Sequence, residues 1–474
     1  MTRRDKIFHD LRKKHPVLSY EKFTLSEDKE KVYIRFYYHL APDILFQHEI
    51  NLLKKDIEQV LSLADPRLQH VAFQLGLMEL LRYWKLTCSP KIILRAGALS
   101  SEQLAWWKKL FFYGLQEFFH VNSIRTDFVD FLHFEVESSQ SFSKADFKTD
   151  FPLGEKRQLI PIGGGKDSIV TLELLAPFQP QNCCLIVNPQ RARLESARIA
   201  GYASQDIIEV RRIHDEQLSR LSDQGYLNGH CPFSAFLAFL SLFVCALFGL
   251  KYIVVSHESS ANEGNIAGSS INHQYSKSFS FEQDFTAYVR QHITETVQYF
   301  SILRPFNELQ IAKYFSRLSP RYFLEFRSSN RLSGKNRWCG ECAKCLFIQI
   351  ILSPFLDASA LRSIFPSSLF SQPQLLPIFL QLIGADPIKP FECVGTREEI
   401  NTALSLALLR QKKEEGSESP LPFLLTTYRE QYSHLMLEKS EIQILLRTYN
   451  KEHLVPEKFT DLLHSFMIIM SSLD

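Results

Sequence analysis

The chain predicts an α/β protein: a parallel-sheet domain flanked by an N-terminal α+β domain and a C-terminal, mainly helical region. Between about 150 and 355 short apolar runs alternate with helical periodicity, the pattern of βαβ units and a parallel sheet. One of these runs ends in three consecutive glycines and opens directly into a helical pattern, Leu159-Ile-Pro-Ile-Gly163-Gly164-Gly165-Lys166-Asp167-Ser168. From about 356 onward the apolar spacing is helical throughout. The expected division is therefore 1–145, 150–355 and 356–474.

Length and composition set the frame. A chain of 474 residues with 45% hydrophobic and 22% charged residues is an ordinary globular protein with ample core. Its 54 basic and 52 acidic residues leave a net charge of +2 with no long basic run, so no nucleic-acid partner is expected, although this does not exclude an RNA substrate. The start, Met-Thr-Arg-Arg-Asp, has no apolar stretch typical of a signal peptide, and the nine cysteines are odd in number. They read as reduced thiols, and a cytoplasmic location is expected. Ser234 to Val255 has 22 residues and one charge, long enough for a bilayer core of ~30 Å. Gly249 and Lys251 divide it into a helix ending at Phe248 and a strand, Tyr252-Ile-Val-Val-Ser256, so a buried helix and a buried strand are expected and no membrane span. No feature specifies an oligomeric state.

In the N-terminal part, Lys31 to Leu40 alternates as a strand and His70 to Lys85 is apolar nearly all round, as a buried helix should be. Pro90 to Arg95 is a second strand, Gln103 to Phe118 an aromatic core helix interrupted at Gly114, and 138–150 a polar linker. Four strands are expected in the central part, at Gln158–Ile162, Cys183–Asn188, Asp206–Arg211 and Tyr252–Ser256. Ligands of open α/β sheets sit at the carboxyl ends of strands, so the polar loops after each strand should converge on the glycine turn. Those loops carry Asn228-Gly-His-Cys-Pro-Phe-Ser234, Ser256-His-Glu-Ser-Ser-Ala-Asn-Glu-Gly-Asn265 and Ile271-Asn-His-Gln-Tyr-Ser-Lys-Ser-Phe279. Beyond them lie Arg304 to Lys313 and three closely spaced cysteines, Cys339, Cys342 and Cys345. In the C-terminal region Gln374–Ile383, Glu398–Leu409 and Phe459–Leu473 are expected helices, and 411–419 a charged loop.

The glycine turn is a phosphate cradle. Three glycines place no side chains between the backbone N–H groups and a ligand, and they lead into a helix N-terminus that favours an anion. Asp167 and Ser168 suit its first turn. The spacing fits neither the Walker pattern nor the dinucleotide fingerprint. It resembles the PP-loop of the ATP pyrophosphatases, Ser-Gly-Gly-x-Asp-Ser, with Gly163 in the Ser position. That resemblance implies ATP, cleaved between its α and β phosphates, and an adenine nucleotide alpha hydrolase-like fold. Arg304 to Lys313 is similar to the segment that closes over the nucleotide in such enzymes. The three thiols are candidate ligands for a structural zinc, which wants four; a histidine, Cys393 or nothing completes the set. 7-Cyano-7-deazaguanine synthase has a similar triplet. A helix N-terminus with buried thiols is the other reading.

Seven stretches across the chain resemble the MurL family, the UDP-N-acetylmuramoyl-L-alanyl-L-glutamate epimerases. They are Tyr83-Trp-Lys-Leu-Thr-Cys-Ser-Pro90, Gly163 to Ser168, Asn228 to Ser234, Ser260 to Asn265, Asn272 to Ser278, Trp338-Cys-Gly-Glu-Cys342 and Pro390-Phe-Glu-Cys-Val-Gly-Thr396. The resemblance implies ATP-dependent inversion of the terminal L-Glu of UDP-MurNAc-L-Ala-L-Glu through a carboxyl adenylate, with AMP and diphosphate released, in peptidoglycan synthesis. Gly163, Gly164, Gly165, Lys166, Asp167 and Ser168 are then the nucleotide site, Asp167 holds Mg²⁺, and Lys166 and Lys313 neutralise phosphate charge. His230, His257, Glu258, Glu263, His273 and Lys277 are the candidate acids and bases. A PP-loop enzyme modifying tRNA or a 7-deazapurine and a non-catalytic nucleotide-binding protein are the alternatives.

Overall fold

The computed structural model describes residues 3–53, 57–140, 142, 144, 149–266, 269, 271–328, 337–414 and 420–471. Parts of four segments lie outside the described residues: 141, 143 and 145–148 of the linker, 329–330 before the cysteines, 415–419 of the charged loop, and 472–473 of the last expected helix.

One ten-stranded sheet organises the chain. Its strands are β1 (Val17–Glu27), β2 (Lys31–Leu40), β3 (Ile44–Leu53), β4 (Lys91–Leu94), β5 (His133–Val136), β6 (Gln158–Pro161), β7 (Asn182–Val187), β8 (Ile207–Ile213), β9 (Tyr252–Val255) and β10 (Gln298–Ser301). Their spatial order is β10-β9-β6-β7-β8-β3-β2-β1-β4-β5. The stretches 1–145 and 150–355 thus share one sheet, joined where β3 pairs antiparallel with β8 from Glu49–Ile213 to Leu52–Val210. β2 shows why it is a strand: its buried and half-buried residues alternate without a break. The four expected central strands are β6 to β9, and β10 adds a fifth.

The central strands run parallel, each joined to its neighbours by parallel ladders. From β6 the chain proceeds to β7 on one side and later to β9 on the other. The glycine turn follows β6, so it sits at the topological switch point, where open α/β sheets bind ligands. Pleating sends successive residues to opposite faces: Leu159, Cys183 and Ile253 join one core, and Ile160, Cys184 and Val254 the other. The first core is covered by the helices Pro66–Trp84, Ser101–Gly114, Phe233–Phe248 and Phe279–His292, the second by Lys166–Leu174, Glu308–Ser316, Ala343–Leu352 and the C-terminal helices.

Ser234 to Val255 resolves as expected. The Phe233–Phe248 helix ends at Gly249 in the left-handed conformation (φ 69°) and leads into fully buried β9. Among the described residues no helix is long and apolar enough to cross a membrane. The aromatic helix breaks at Gly114 and resumes as Gln116–Val121. A Cβ at Gly114 would lie 2.8 Å from Pro232 Cγ, so the break brings the start of the Phe233–Phe248 helix against it. The charged stretch 411–419 does not begin as a loop. The Arg397–Glu414 helix continues through its first four residues, all good helix formers.

Candidate active site

Gly164 adopts φ +81°, and a Cβ there would meet the backbone N of Arg193 at 3.2 Å, so the turn requires glycine at this point. A Cβ at Gly163 would meet nothing within 4 Å, which leaves room above the turn. Gly165 caps the Lys166–Leu174 helix without a side-chain partner, and Ser168 Oγ accepts from the Gly164 N–H at 3.2 Å and donates to the Gly165 carbonyl at 2.9 Å. The hydroxyl folds the turn onto its own helix.

Lys166 is buried and its ammonium pairs with both Asp167 and Glu308. Glu308 is the first residue of the Glu308–Ser316 helix, placed by a reciprocal Asn307–Gln310 capping box. Its N–H donates to Glu399 Oε1 at 2.7 Å, which also takes the Ser260 hydroxyl. Asp167, Glu258 and Glu308 bring one carboxylate oxygen each within 4.8 Å of one another. Glu258 Oε2 is buried without a hydrogen-bond partner among the described residues. Burial pushes the Glu308 carboxyl up. Burial also acts against the Lys166 ammonium, but Asp167 and Glu308 outweigh it and raise its pKa. Three carboxyls, two of them buried, with one ammonium present a donor set and charge suited to a further cation.

The loop after β9 is fixed by fully buried Arg304. It donates to the Glu258 carbonyl at 2.6 Å and to the Lys277 carbonyl, and Glu282 pairs with its Nε at 3.0 Å. His257 is buried beside it, and burial, then Lys277 and Arg304, hold its imidazole well below the usual range, hence neutral.

A second polar cluster adjoins this loop. Glu117 of the Gln116–Val121 helix pairs with His273 and stands 3.3 Å from His230 Nδ1, with the two imidazole centroids 4.5 Å apart. Burial, then His273, lower His230 to about 4. Burial works in the same direction on His273, but Cys393 and Glu117 outweigh it and raise that ring to about 9. Cys393 and Lys277 act on each other electrostatically, and Lys344 Nζ donates to the Cys393 carbonyl. Lys277 and Lys344 in turn act on Asp167, so the two clusters are electrostatically continuous.

The MurL N-terminal domain matches residues 10–302 and the MurL C-terminal domain residues 325–433. The chain belongs to the MurL family. Three relatives bear the name UDP-N-acetyl-alpha-D-muramoyl-L-alanyl-L-glutamate epimerase. That of Xanthomonas oryzae pv. oryzae is 31% identical over 71% of this chain and 74% of its own. The Salinispora tropica protein is 34% identical over 68% and 70%, and that of Micromonospora sp. 35% identical over 54% and 58%. No solved structure matches the chain.

In this MurL chain the glycine turn, Lys166, Asp167 and Glu258 come together, with Lys277 acting on Asp167 and His257 behind the loop, while His230 and His273 meet at Glu117 in the second cluster. Two candidates join neither group. Glu263 faces Lys389 at 3.5 Å. Lys313 lies five residues beyond Glu308, about 140° round the helix, and donates to the Met470 carbonyl at 3.2 Å. Of the fourth ligands considered, Cys393 does not join the other three thiols. Cys339, Cys342 and Cys345 do cluster, with Sγ–Sγ distances of 3.5 and 3.6 Å to Cys345, and no fourth His, Cys or carboxylate joins them among the described residues.

Glu117, Glu308, Lys344 and Cys393 escape the sequence reading of the site. Asn307-x-x-Gln310 is a capping-box spacing that marks Glu308 as a helix start. Cys393 lies in one of the stretches that carried the family resemblance. Nothing local marks Glu117, which is 113 residues from His230 in sequence and 3.3 Å away in space.

Proposed function

We propose that the chain is an ATP-dependent epimerase that inverts the terminal L-Glu of UDP-MurNAc-L-Ala-L-Glu through a carboxyl adenylate, releasing AMP and diphosphate, in peptidoglycan precursor synthesis. The observation that carries this reading is the glycine turn at the switch point of the sheet, beside a cluster of three carboxyls, two of them buried, in a chain whose relatives are named for this epimerisation. It makes the protein an isomerase.

The chemistry explains why an epimerase would hold ATP. The Cα proton of glutamate is weakly acidic because removing it builds negative charge beside a carboxylate. Joining AMP to that carboxylate cancels its charge, so the enolate that follows is far better stabilised. In this reading the amides of Gly163 to Ser168 bind the phosphates and the helix N-terminus favours their charge. Mg²⁺ bound by Asp167, Glu258 and Glu308 would shield the charge between the α and β phosphates. Lys166 adds a fixed positive charge at the base of the turn, and Arg304 holds the loop that supplies Glu258. Deprotonation of Cα and reprotonation from the other face invert the centre, and hydrolysis frees the carboxylate.

The test is nucleotide stoichiometry. With ATP, Mg²⁺ and UDP-MurNAc-L-Ala-L-Glu, release of AMP and diphosphate should depend on the peptide. Formation of ADP, or inversion without ATP, would contradict the reading.

A structural zinc on Cys339, Cys342 and Cys345 belongs to the same proposal. Two thiolates on a tetrahedral zinc stand about 3.8 Å apart, close to the separations here. Purified protein is expected to carry about one zinc per chain, lost in Cys345→Ser. Clearly less than stoichiometric zinc by elemental analysis would mean that these are simply buried thiols at a helix N-terminus.

A further inference from the structure

We propose that Glu117, His230 and His273 form a site for a divalent transition metal of the zinc class, distinct from the carboxyl cluster at the glycine turn. This site would hold its ion whether or not the adenylation reading stands.

The donor atoms already converge. Nδ1 of His230 and Nδ1 of His273 both approach one carboxylate oxygen, Oε2 of Glu117, the first at 3.3 Å and the second in direct hydrogen-bond contact. The two ring centroids are 4.5 Å apart, and the three ligand atoms all lie within 4.8 Å of one another. An ion pair accounts for one of these imidazoles. It gives no reason for a second ring to turn the same nitrogen toward the same oxygen. Ligand atoms on a tetrahedral zinc at about 2.0–2.1 Å stand about 3.3–3.4 Å apart, which is the His230–Glu117 separation. On binding, the metal takes the place of the proton shared by His273 and Glu117, and that proton goes to solvent.

Three separate stretches are fastened around this point. Glu117 lies on the Gln116–Val121 helix. Asn122, just past that helix, donates from Nδ2 to the Phe118 carbonyl at 2.9 Å and to the Asn228 carbonyl at 3.1 Å, so it clamps the His230 loop to the helix. Lys85 Nζ holds the same loop through the Gly229 carbonyl. A Cβ at Gly229 would stand 3.2 Å from Phe118 Cδ2, so the loop runs close against the helix. His273 is fixed from the other side. Its N–H donates to Asn265 Oδ1 at 2.7 Å, and Asn272 Nδ2 donates to the Ala261 carbonyl at 3.0 Å. Donors held in place beforehand lose little freedom when a ligand arrives.

The donor set selects the ion. Two imidazoles and a carboxylate suit zinc and its neighbours, whereas the all-oxygen set of Asp167, Glu258 and Glu308 suits Mg²⁺. Two histidines and one glutamate are three ligands, which leaves a fourth position for water or another oxygen donor. Side-chain exposures of 20% for His230, 13% for His273 and 14% for Glu117 keep that position within reach of solvent. With both Nδ1 atoms on the metal, His230 and His273 leave the set of candidate acids and bases.

The experiment titrates the full chain with Co²⁺, a substitute for zinc whose absorption reports its ligands. Protein dialysed against a chelator is kept in excess Mg²⁺ to fill the carboxyl cluster. Cobalt on the three clustered thiols is identified by sulfur-to-metal charge transfer. One further equivalent per chain should bind with visible bands of nitrogen and oxygen ligands, and Zn²⁺ should displace it. Glu117→Gln keeps the side chain's shape but removes the anionic ligand. It should weaken this equivalent by about 10²-fold or more, since losing even a partner of a metal ligand costs about 10–100-fold. No such equivalent in the wild type, or equally tight binding by Glu117→Gln, would overturn the proposal and leave a hydrogen-bonded cluster only. If the variant fails to fold by circular dichroism, diethylpyrocarbonate labelling of the wild type decides. Modification of His230 and His273, located by mass spectrometry, should be suppressed by Zn²⁺ and not by Mg²⁺ alone. Equal labelling of either histidine with and without Zn²⁺ would overturn it. Neither measurement uses ATP or peptide, so a failure of the adenylation reading would not be mistaken for a failure of this site.

Discussion

Asp167→Ala should reduce release of AMP from ATP to a small fraction of the wild-type rate while leaving the fold intact. Asp167 opens the helix that follows the glycine turn, and its carboxylate reaches Lys166 on one side and the Glu258–Glu308 pair on the other. Removing it takes away one of three carboxyls proposed for Mg²⁺, next to the point where phosphate charge builds during α–β cleavage. The expected loss is roughly 10²–10³-fold in turnover, the cost of deleting one preorganised charge-stabilising group. The fold survives because Lys166 keeps Glu308 as partner, so no buried charge is orphaned. Asp167→Asn should behave alike, since an amide keeps the shape but not the charge. Turnover within a few-fold of wild type, measured as AMP by chromatography, would refute the role.

Glu79→Ala should cause the largest loss of stability. Glu79 is wholly buried on the Pro66–Trp84 helix, accepts from Arg212 Nε of β8 at 2.7 Å and stands 3.2 Å from His48 Nε2 of β3. This one carboxylate therefore ties a helix to the two strands whose pairing joins the N-terminal and central strands of the sheet. Burial would raise its pKa, but Arg212 and then His48 outweigh that and hold it well below the usual range. Its loss leaves the Arg212 guanidinium nearly buried and unpaired, a cost of about 3–5 kcal/mol. That is a large part of a total stability of about 5–15 kcal/mol. The pH dependence has a fixed sign. A carboxyl with a depressed folded-state pKa stabilises above its unfolded value, about 4.3, and that contribution fades as pH falls through the folded value. Wild type should thus lose stability on acidification and Glu79→Ala should lose less. Urea midpoints at pH 7 and at pH 4 check both statements, and a shift below about 1 kcal/mol at pH 7 would contradict the first.

Much of the central sheet was legible because its signals are local. Three glycines after an apolar run, helical spacing after them and the Gly249 break each declare themselves within a few residues. β3 was not legible, because its polar residues are buried for reasons outside the strand: His48 meets Tyr83 and Glu79, and neighbouring Asn51 pairs with Arg211 in the ladder to β8. The site divides in the same way. Lys166, Asp167 and Glu258 follow from the rule that loops at strand ends converge. Lys313 did not, because a helix face, not chain proximity, decides which residue looks inward, and that residue is Glu308. Glu117 and Cys393 are brought in by the Gln116–Val121 helix and the Pro390–Thr396 stretch, elements far from the glycine turn in sequence.

The central claim is that ATP is spent to make one Cα–H bond acidic. The direct measurement is incubation of the protein with ATP, Mg²⁺ and UDP-MurNAc-L-Ala-L-Glu in D₂O, followed by hydrolysis and resolution of the glutamate by configuration. The account predicts D-Glu carrying deuterium at Cα, AMP formed in step with it, and neither when ATP is left out. D-Glu without deuterium, or deuterium uptake indifferent to ATP, would contradict it.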